Sequence, residues 1–320
     1  MLILTHDDLI GLLPPVRIIA AVEAGLRAQA AGQVIMPDRQ HIDWDGNTLL
    51  TMPSVGADAV GVKLVSVVPE NAARGLPVTG GVMILHDRQT GLPVALMNAA
   101  ALTAQRTGAV GALGVKYQTP AAASSIGIVG CGVQGAWQAI CACAVRPIRS
   151  VRCFSRSPKG LERFIATVHR HAPQVEIAVC KDVRELIAST DIVIAATTSS
   201  TPVLPDDPAL LTGKHFISVG SFKPAMQELP GSVYRLAGTL AVDSPHASHE
   251  VGDVINSLQQ GLLQPEDVFS IAELVMQRRT ANINGTTAYK CVGAAVYDLY
   301  VANELFRAAV ERRIGQSVHV

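Results

Sequence analysis

Ile126-Gly127-Ile128-Val129-Gly130-Cys131-Gly132-Val133-Gln134-Gly135 decides the fold of this 320-residue chain. An apolar, β-branched run ends in G-x-G-x-x-G, and a helix-compatible segment, Ala136 to Val145, follows. That is the strand, turn and helix order needed to seat a dinucleotide pyrophosphate. Gly130 permits the tight turn. Gly132 lets the backbone approach the phosphates, and Gly135 lets the helix pack closely on the strand. The N–H groups at the helix start, from Val133 onward, then face the anion. A bare G-x-G-x-x-G often marks only a turn; the flanking strand and helix favour cofactor binding here.

Downstream, short β-branched runs alternate with helical segments. Val151 to Ser155, Val175 to Val179, Asp191 to Ala196, His215 to Gly220 and Thr239 to Asp243 read as further strands. Helices are expected near Pro158 to His171 and Val183 to Ala188. The pattern predicts an α/β protein with a doubly wound parallel sheet of the Rossmann type. Pro265 to Arg278 reads as one helix and Thr287 to Arg312 as a long Ala-rich one.

Upstream the pattern differs. Leu2-Ile-Leu is a short strand, and Pro14-Pro15 opens a helix whose stripe is Ile18, Ile19, Val22 and Leu26. Residues 33–95 are β-rich, with Asp45-Gly46 as a hairpin turn. Ala99 to Tyr117 reads as a helix carrying Arg106 as the one charge between Ala99 and Val115. The connector from Gln118 to Ser125 marks the expected boundary. Residues 1–118 and 287–320 are therefore assigned to an α+β domain, and 119–286 to the dinucleotide domain.

Composition excludes several classes. The formal net charge is zero and aromatics are 4%, so neither nucleic acid nor an anionic membrane is an expected partner. Charged residues are 16% and hydrophobic ones 49%, as in a well-buried globular chain. The N-terminus carries no signal-peptide pattern, and no apolar run reaches membrane-spanning length. The six cysteines form no C-x-x-C spacing and read as reduced core thiols of a cytoplasmic protein. His41, His86, His215, His246 and His249 fit no metal spacing, and no metal is expected, including at the loop between Asp243 and Asp253.

Three positions carry chemical information. After the second strand of the dinucleotide domain, an NAD-preferring chain places a carboxylate for the ribose 2′-hydroxyl. Here stand Ser155, Arg156 and Ser157, with Lys159 nearby. Hydroxyls and a guanidinium suit a 2′-phosphate, which favours NADP(H) and leaves NAD(H) open. Lys63 lies mid-strand among apolar residues. It faces solvent, or it is buried with a depressed pKa and suited to proton transfer. Arg106 suits either a substrate α-carboxylate or a structural salt bridge, and Arg39 is a weaker candidate for the carboxylate.

The chain resembles the ornithine cyclodeaminase/mu-crystallin family. The resemblance rests on Met52-Pro53 with Gly61-Val62-Lys63, on Leu92-Pro-Val-Ala-Leu-Met97 and on Leu102-Thr103-Ala-Gln-Arg106-Thr107-Gly108-Ala109. It continues through Gly130-Cys-Gly-Val-Gln134-Gly135, Val219-Gly220 with Pro224, Glu228-Leu229, Val242-Asp243-Ser244 and Val292-Gly293. It implies a Rossmann domain joined to a substrate and dimerisation domain, hence a homodimer. It implies that Lys63 lies by the reacting C–N centre and that Arg106 grips the substrate carboxylate. Thr79, Gln134, Thr197, Ser218, Val219, Gly220 and Val292 fall in the implied cofactor set, with Gly293 and Phe222 in the substrate set.

Two departures from the cyclodeaminase pattern matter. Phe222 stands where those enzymes carry a catalytic aspartate, and Thr48 to Pro53 lacks their glutamate. An uncharged aromatic cannot manage proton traffic. The resemblance thus points to the family's imine reductases. These act on Δ1-pyrroline-2-carboxylate, Δ1-piperideine-2-carboxylate or related ketimines, giving proline or pipecolate by hydride transfer. Ornithine cyclodeamination, an alanine- or opine-type amino acid dehydrogenase, and a non-catalytic NADPH-binding crystallin-like protein are the alternatives.

Overall fold

A computed structural model describes residues 1–319. Its strands, in chain order, are β1 (Leu2–Leu4), β2 (Gln40–Trp44), β3 (Asn47–Val55), β4 (Ala59–Val67), β5 (Thr79–Asp87), β6 (Pro93–Asn98), β7 (Ser125–Val129), β8 (Ser150–Phe154), β9 (Glu176–Val179), β10 (Ile192–Ala195), β11 (His215–Ser218), β12 (Leu240–Val242), β13 (Val268–Ser270), β14 (Thr287–Lys290) and β15 (Gln316–Ser317). They form two sheets in two compact units. One unit is Met1–Arg106 plus the chain from Ala294 onward; the other is Thr107–Gly293.

The first unit holds a seven-stranded sheet in the order β15-β1-β6-β5-β4-β3-β2. β2 to β6 form an antiparallel meander, while β1 joins β6 in parallel and β15 antiparallel. At the β2–β3 turn both Asp45 (φ 43°) and Gly46 (φ 78°) are left-handed, the backbone a tight type I′ hairpin demands. The period-two pattern turns Met52, Lys63, Val65, Met83, Leu85, Ala95 and Met97 into the core. The helices Pro15–Ala30 and Ala295–Arg312 pack on each other, and the latter also lies on β3 to β5. Pro15 starts the first of these at the position where its missing N–H costs nothing. The opposite face of the sheet, with Val60, Val62, Leu64, Val82, Ile84 and Leu96, is only half-buried.

The second unit holds an all-parallel eight-stranded sheet, ordered β13-β12-β14-β11-β10-β7-β8-β9. β7 carries the glycine fingerprint, with β8 and β9 on one side and the remaining strands on the other. β10 and β11 are buried at every position, as a sheet covered on both faces requires.

Three sequence expectations are corrected. Thr287 to Lys290 is not helical but forms β14, between β11 and β12, and the terminal helix begins at Ala295. Gly293, at φ 81°, breaks the chain direction between the two. Pro265 to Arg278 is not one helix; it forms a 3-10 turn (Pro265–Asp267), β13 and a short helix (Ala272–Val275). The units divide at 106/107 and 293/294, not at 118/119 and 286/287. The helix Ala99–Gln118 runs unbroken through the first division, and β14 ties the residues after 286 into the parallel sheet. Among the described residues, no helix is long and apolar enough to cross a membrane. None of the six cysteines is in a disulfide among the described residues.

Candidate functional site

In the second unit the fingerprint loop follows β7. Gly130 has φ 104°, and a Cβ there would meet the Ala196 carbonyl oxygen at 2.5 Å. A Cβ on Gly135 would collide with the Gly130 carbonyl oxygen. Both glycines are demanded by the protein itself. Gly132 is not: a Cβ there meets nothing within 4 Å. It is also the N-cap of the helix Val133–Val145, and no side chain caps that end. The side-chain oxygen of Gln134 is buried without a protein partner. An open helix start, an approachable glycine and an orphaned buried polar atom together fit a dinucleotide pyrophosphate. Beyond β8, Ser155 is half-buried, while Arg156 and Ser157 are exposed.

At the ends of β10 and β11, a wholly buried polar cluster organises the adjoining loops. Glu228 Oε1 accepts from the Thr197 N–H at 2.6 Å and its hydroxyl at 2.9 Å. Its Oε2 accepts from the N–H groups of Val219 (3.1 Å) and Gly220 (2.6 Å). Asp253 Oδ1 accepts from the N–H groups of Glu228 and Leu229 and from the Tyr234 hydroxyl, each at 3.0 Å. Its Oδ2 accepts from the Ser221 hydroxyl at 2.6 Å. Lys290 Nζ lies 3.5 Å from Asp253 Oδ2 and donates to the Ser218 hydroxyl oxygen at 2.9 Å. Burial would raise the Asp253 carboxyl, but Lys290 and the surrounding donors hold it below its usual value. Asp243 similarly anchors Val292 and Gly293 through their N–H groups, both at 2.7 Å.

In the first unit, β4 places Lys63 on the covered face of the sheet, where it is 2% exposed. Its Nζ lies 2.6 Å from Asp298 Oδ2. Arg106, on the helix Ala99–Gln118, sends Nε to Asp298 Oδ1 at 2.9 Å. Asp298 is fully buried in the first turn of the helix Ala295–Arg312. One carboxylate therefore bridges two buried cations. Burial, with Arg106 and Arg39 acting the same way, outweighs the upward pull of Asp298 and brings the Lys63 ammonium down to about 7. For Asp298, burial acts upward, but Arg106 and Lys63 outweigh it and hold the carboxyl below its usual value. A lysine poised near neutrality beside a fixed guanidinium can donate a proton while its neighbour holds an anion.

The ornithine cyclodeaminase/mu-crystallin family pattern matches residues 2–312. The chain belongs to this family. It is 32% identical over 326 residues to a Δ1-pyrroline-2-carboxylate reductase of Bacillus cereus, with 99% of each chain covered. It is 31% identical over 310 residues to a Δ1-pyrroline-2-carboxylate/Δ1-piperideine-2-carboxylate reductase of Azospirillum brasilense, with 96% of each covered. Among solved structures, the Thermococcus litoralis Δ1-pyrroline-2-carboxylate reductase in complex with NADH and L-proline superposes with a TM-score of 0.93. It is 31% identical, and the match covers 99% of this chain and 100% of that one.

Within this family member, the structure gathers the expected residues into separate groups. Lys63 and Arg106 meet at Asp298, and Arg39 is close enough to bear on the Lys63 charge. Thr197, Val219 and Gly220 converge on Glu228, and Ser218 donates toward the same carboxylate. Thr79, at the exposed start of β5, belongs to the first unit rather than to the fingerprint's. Phe222 is 38% exposed in the second unit, beside Lys223. Sequence reading missed Asp298, Asp253 and Lys290 as one kind of feature, a charge inside an apolar element. The signal for Asp298 was its place between Val296 and Leu299 on an otherwise core-facing stripe.

Proposed function

We propose that the protein is an NAD(P)H-dependent reductase of a cyclic imino acid, reducing Δ1-pyrroline-2-carboxylate or its six-membered homologue to proline or pipecolate. The observation that carries this is the buried Lys63–Asp298–Arg106 constellation. The whole-length likeness to reductases of that name supports it. With Nε committed to Asp298, the outer fork of Arg106 takes the substrate carboxylate, aided by Arg39. The imine nitrogen then lies toward Lys63, whose ammonium donates to it as the C=N bond is reduced. A bound dinucleotide supplies the hydride to the imine carbon. Gly130, Gly132, Val133, Gln134 and Gly135 hold its pyrophosphate. Thr197, Ser218, Val219, Gly220 and Val292 line the rest of its path in the second unit.

NADP(H) is the favoured cofactor, because Ser155, Arg156 and Ser157 follow β8 with no carboxylate among them. The cyclodeaminase alternative is not adopted: Phe222 offers no base, and Thr48 to Pro53 holds no carboxylate. A homodimer is also proposed, built on the half-buried apolar face of the seven-stranded sheet, which one copy leaves uncovered. Cysteines held outside disulfides suit a reducing, cytoplasmic setting. The test is oxidation of NADPH and of NADH, in parallel, with Δ1-pyrroline-2-carboxylate and Δ1-piperideine-2-carboxylate. Turnover with an NADPH preference is expected, and Arg156→Ala should lower that preference. Ammonia release from ornithine without consumption of external reductant would instead establish the cyclodeaminase.

A further inference from the structure

Glu228, Asp253 and Lys290 are all fully buried; Lys290 pairs with Asp253, and Glu228 joins them through the Ser218 hydroxyl. Both Glu228 oxygens meet donors: backbone N–H groups and the hydroxyls of Thr197 and Ser218. Asp253 likewise meets only donors. The Ser218 hydroxyl lies 2.8 Å from Glu228 Oε2 and 2.7 Å from Asp253 Oδ2, yet has one proton to give. It can satisfy one carboxylate at a time, so it does not neutralise the excess. The cluster therefore carries one net negative charge in a region without solvent screening.

Its place in the fold gives this charge a consequence. In a doubly wound sheet, a dinucleotide crosses the C-terminal strand ends at the switch point, here at β7. Arg156 and its neighbours at the end of β8 mark the adenosine side. The nicotinamide half then belongs on the β10 and β11 side, where Thr197, Val219 and Gly220 are held by Glu228. These residues spend their N–H groups inward, on the carboxylate. Toward a ligand they contribute the field of the charge beneath them rather than hydrogen-bond donors.

We propose that the Glu228–Asp253–Lys290 cluster is an electrostatic element that favours the cationic, oxidised nicotinamide over the neutral, reduced one. Hydride departure from the reduced ring leaves a positive charge on it, so the same field stabilises charge as it develops in the transition state. The inference rests on the dinucleotide reading of this unit but not on any particular imine substrate. Glu228 and Asp253 act through the loops they hold and are positioning residues.

The experiment is equilibrium binding of NADP+ and of NADPH to the purified full chain, read as the ratio of the two dissociation constants. Glu228→Gln, which removes one negative charge, should raise Kd(NADP+)/Kd(NADPH) about tenfold, the size expected for a unit charge roughly 10 Å away at an effective dielectric near 20. Asp253→Asn asks the same question if Glu228→Gln does not fold. Lys290→Gln leaves two uncompensated carboxylates and should move the ratio the opposite way. A merely structural cluster would weaken both cofactors by one factor and leave the ratio unchanged in every variant, and that result overturns the proposal. Ratio shifts without turnover of any imine would sink the reductase reading while leaving this one standing. Wild-type protein that binds neither nucleotide overturns both.

Discussion

Asp298 sits where its two cations cannot share water: it is fully buried, and its oxygens lie 2.6 Å from Lys63 Nζ and 2.9 Å from Arg106 Nε. Removing one member of such a set leaves unpaired charge in the core. Asp298→Asn is expected to cost about 3–5 kcal/mol in chemical denaturation. It should also shift the pH profile. The proposed mechanism uses protonated Lys63, so kcat/KM should fall as pH rises through about 7. Asp298 is what raises the Lys63 pKa against burial; without it the pKa falls further, and the limb moves to lower pH. A limb unmoved in Asp298→Asn would exclude Lys63 as the titrating group. Lys63→Met should lower kcat by about 10²- to 10⁴-fold, the usual span for a lost general acid, with cofactor affinity unchanged.

At the scale of elements, the fingerprint turn separates structural from ligand-driven glycines. Gly135→Ala drives a methyl toward the Gly130 carbonyl oxygen and should cost about 1–3 kcal/mol of stability. Gly132→Ala meets no protein atom, so thermal unfolding should stay close to wild type while NADPH affinity falls at least about tenfold. Equal affinity in Gly132→Ala would remove the pyrophosphate from this loop. The β11–β14 pairing carries a pH signature. His215 is buried, with Nδ1 2.9 Å from the Thr287 hydroxyl, and burial lowers its pKa from 6.5 to about 4. Between those values the unfolded chain binds the proton more readily than the folded one, so stability should fall as pH drops from about 6.5 toward 4. His215→Gln should flatten that part of the curve of melting temperature against pH.

For the whole molecule, the half-buried apolar face of the seven-stranded sheet is the feature one copy leaves unresolved. Light scattering on the size-exclusion peak should give twice the 33.7 kDa chain mass. Leu64→Arg, placed on that face, should shift the peak toward monomer. A monomeric wild type would show that face to be adequately solvated by itself.

Local pattern carried much of this protein. Residues 126–135 declared a strand, a turn and a helix, because a glycine fingerprint and a run of β-branched residues are local constraints. The Asp45-Gly46 hairpin and the alternation along β4 followed from turn chemistry and a period of two. Partnership was not legible. Thr287 to Lys290 adjoins an Ala-rich helix in sequence, and its nearby residues match helix as well as strand. It becomes β14 because the parallel sheet has a place for it between β11 and β12. Whether Lys63 faces solvent or the core was likewise decided by the fold. Asp298, 235 residues away in the chain, meets it in the core. Charge pairing depends on which elements pack together, and no period or motif within one segment encodes that.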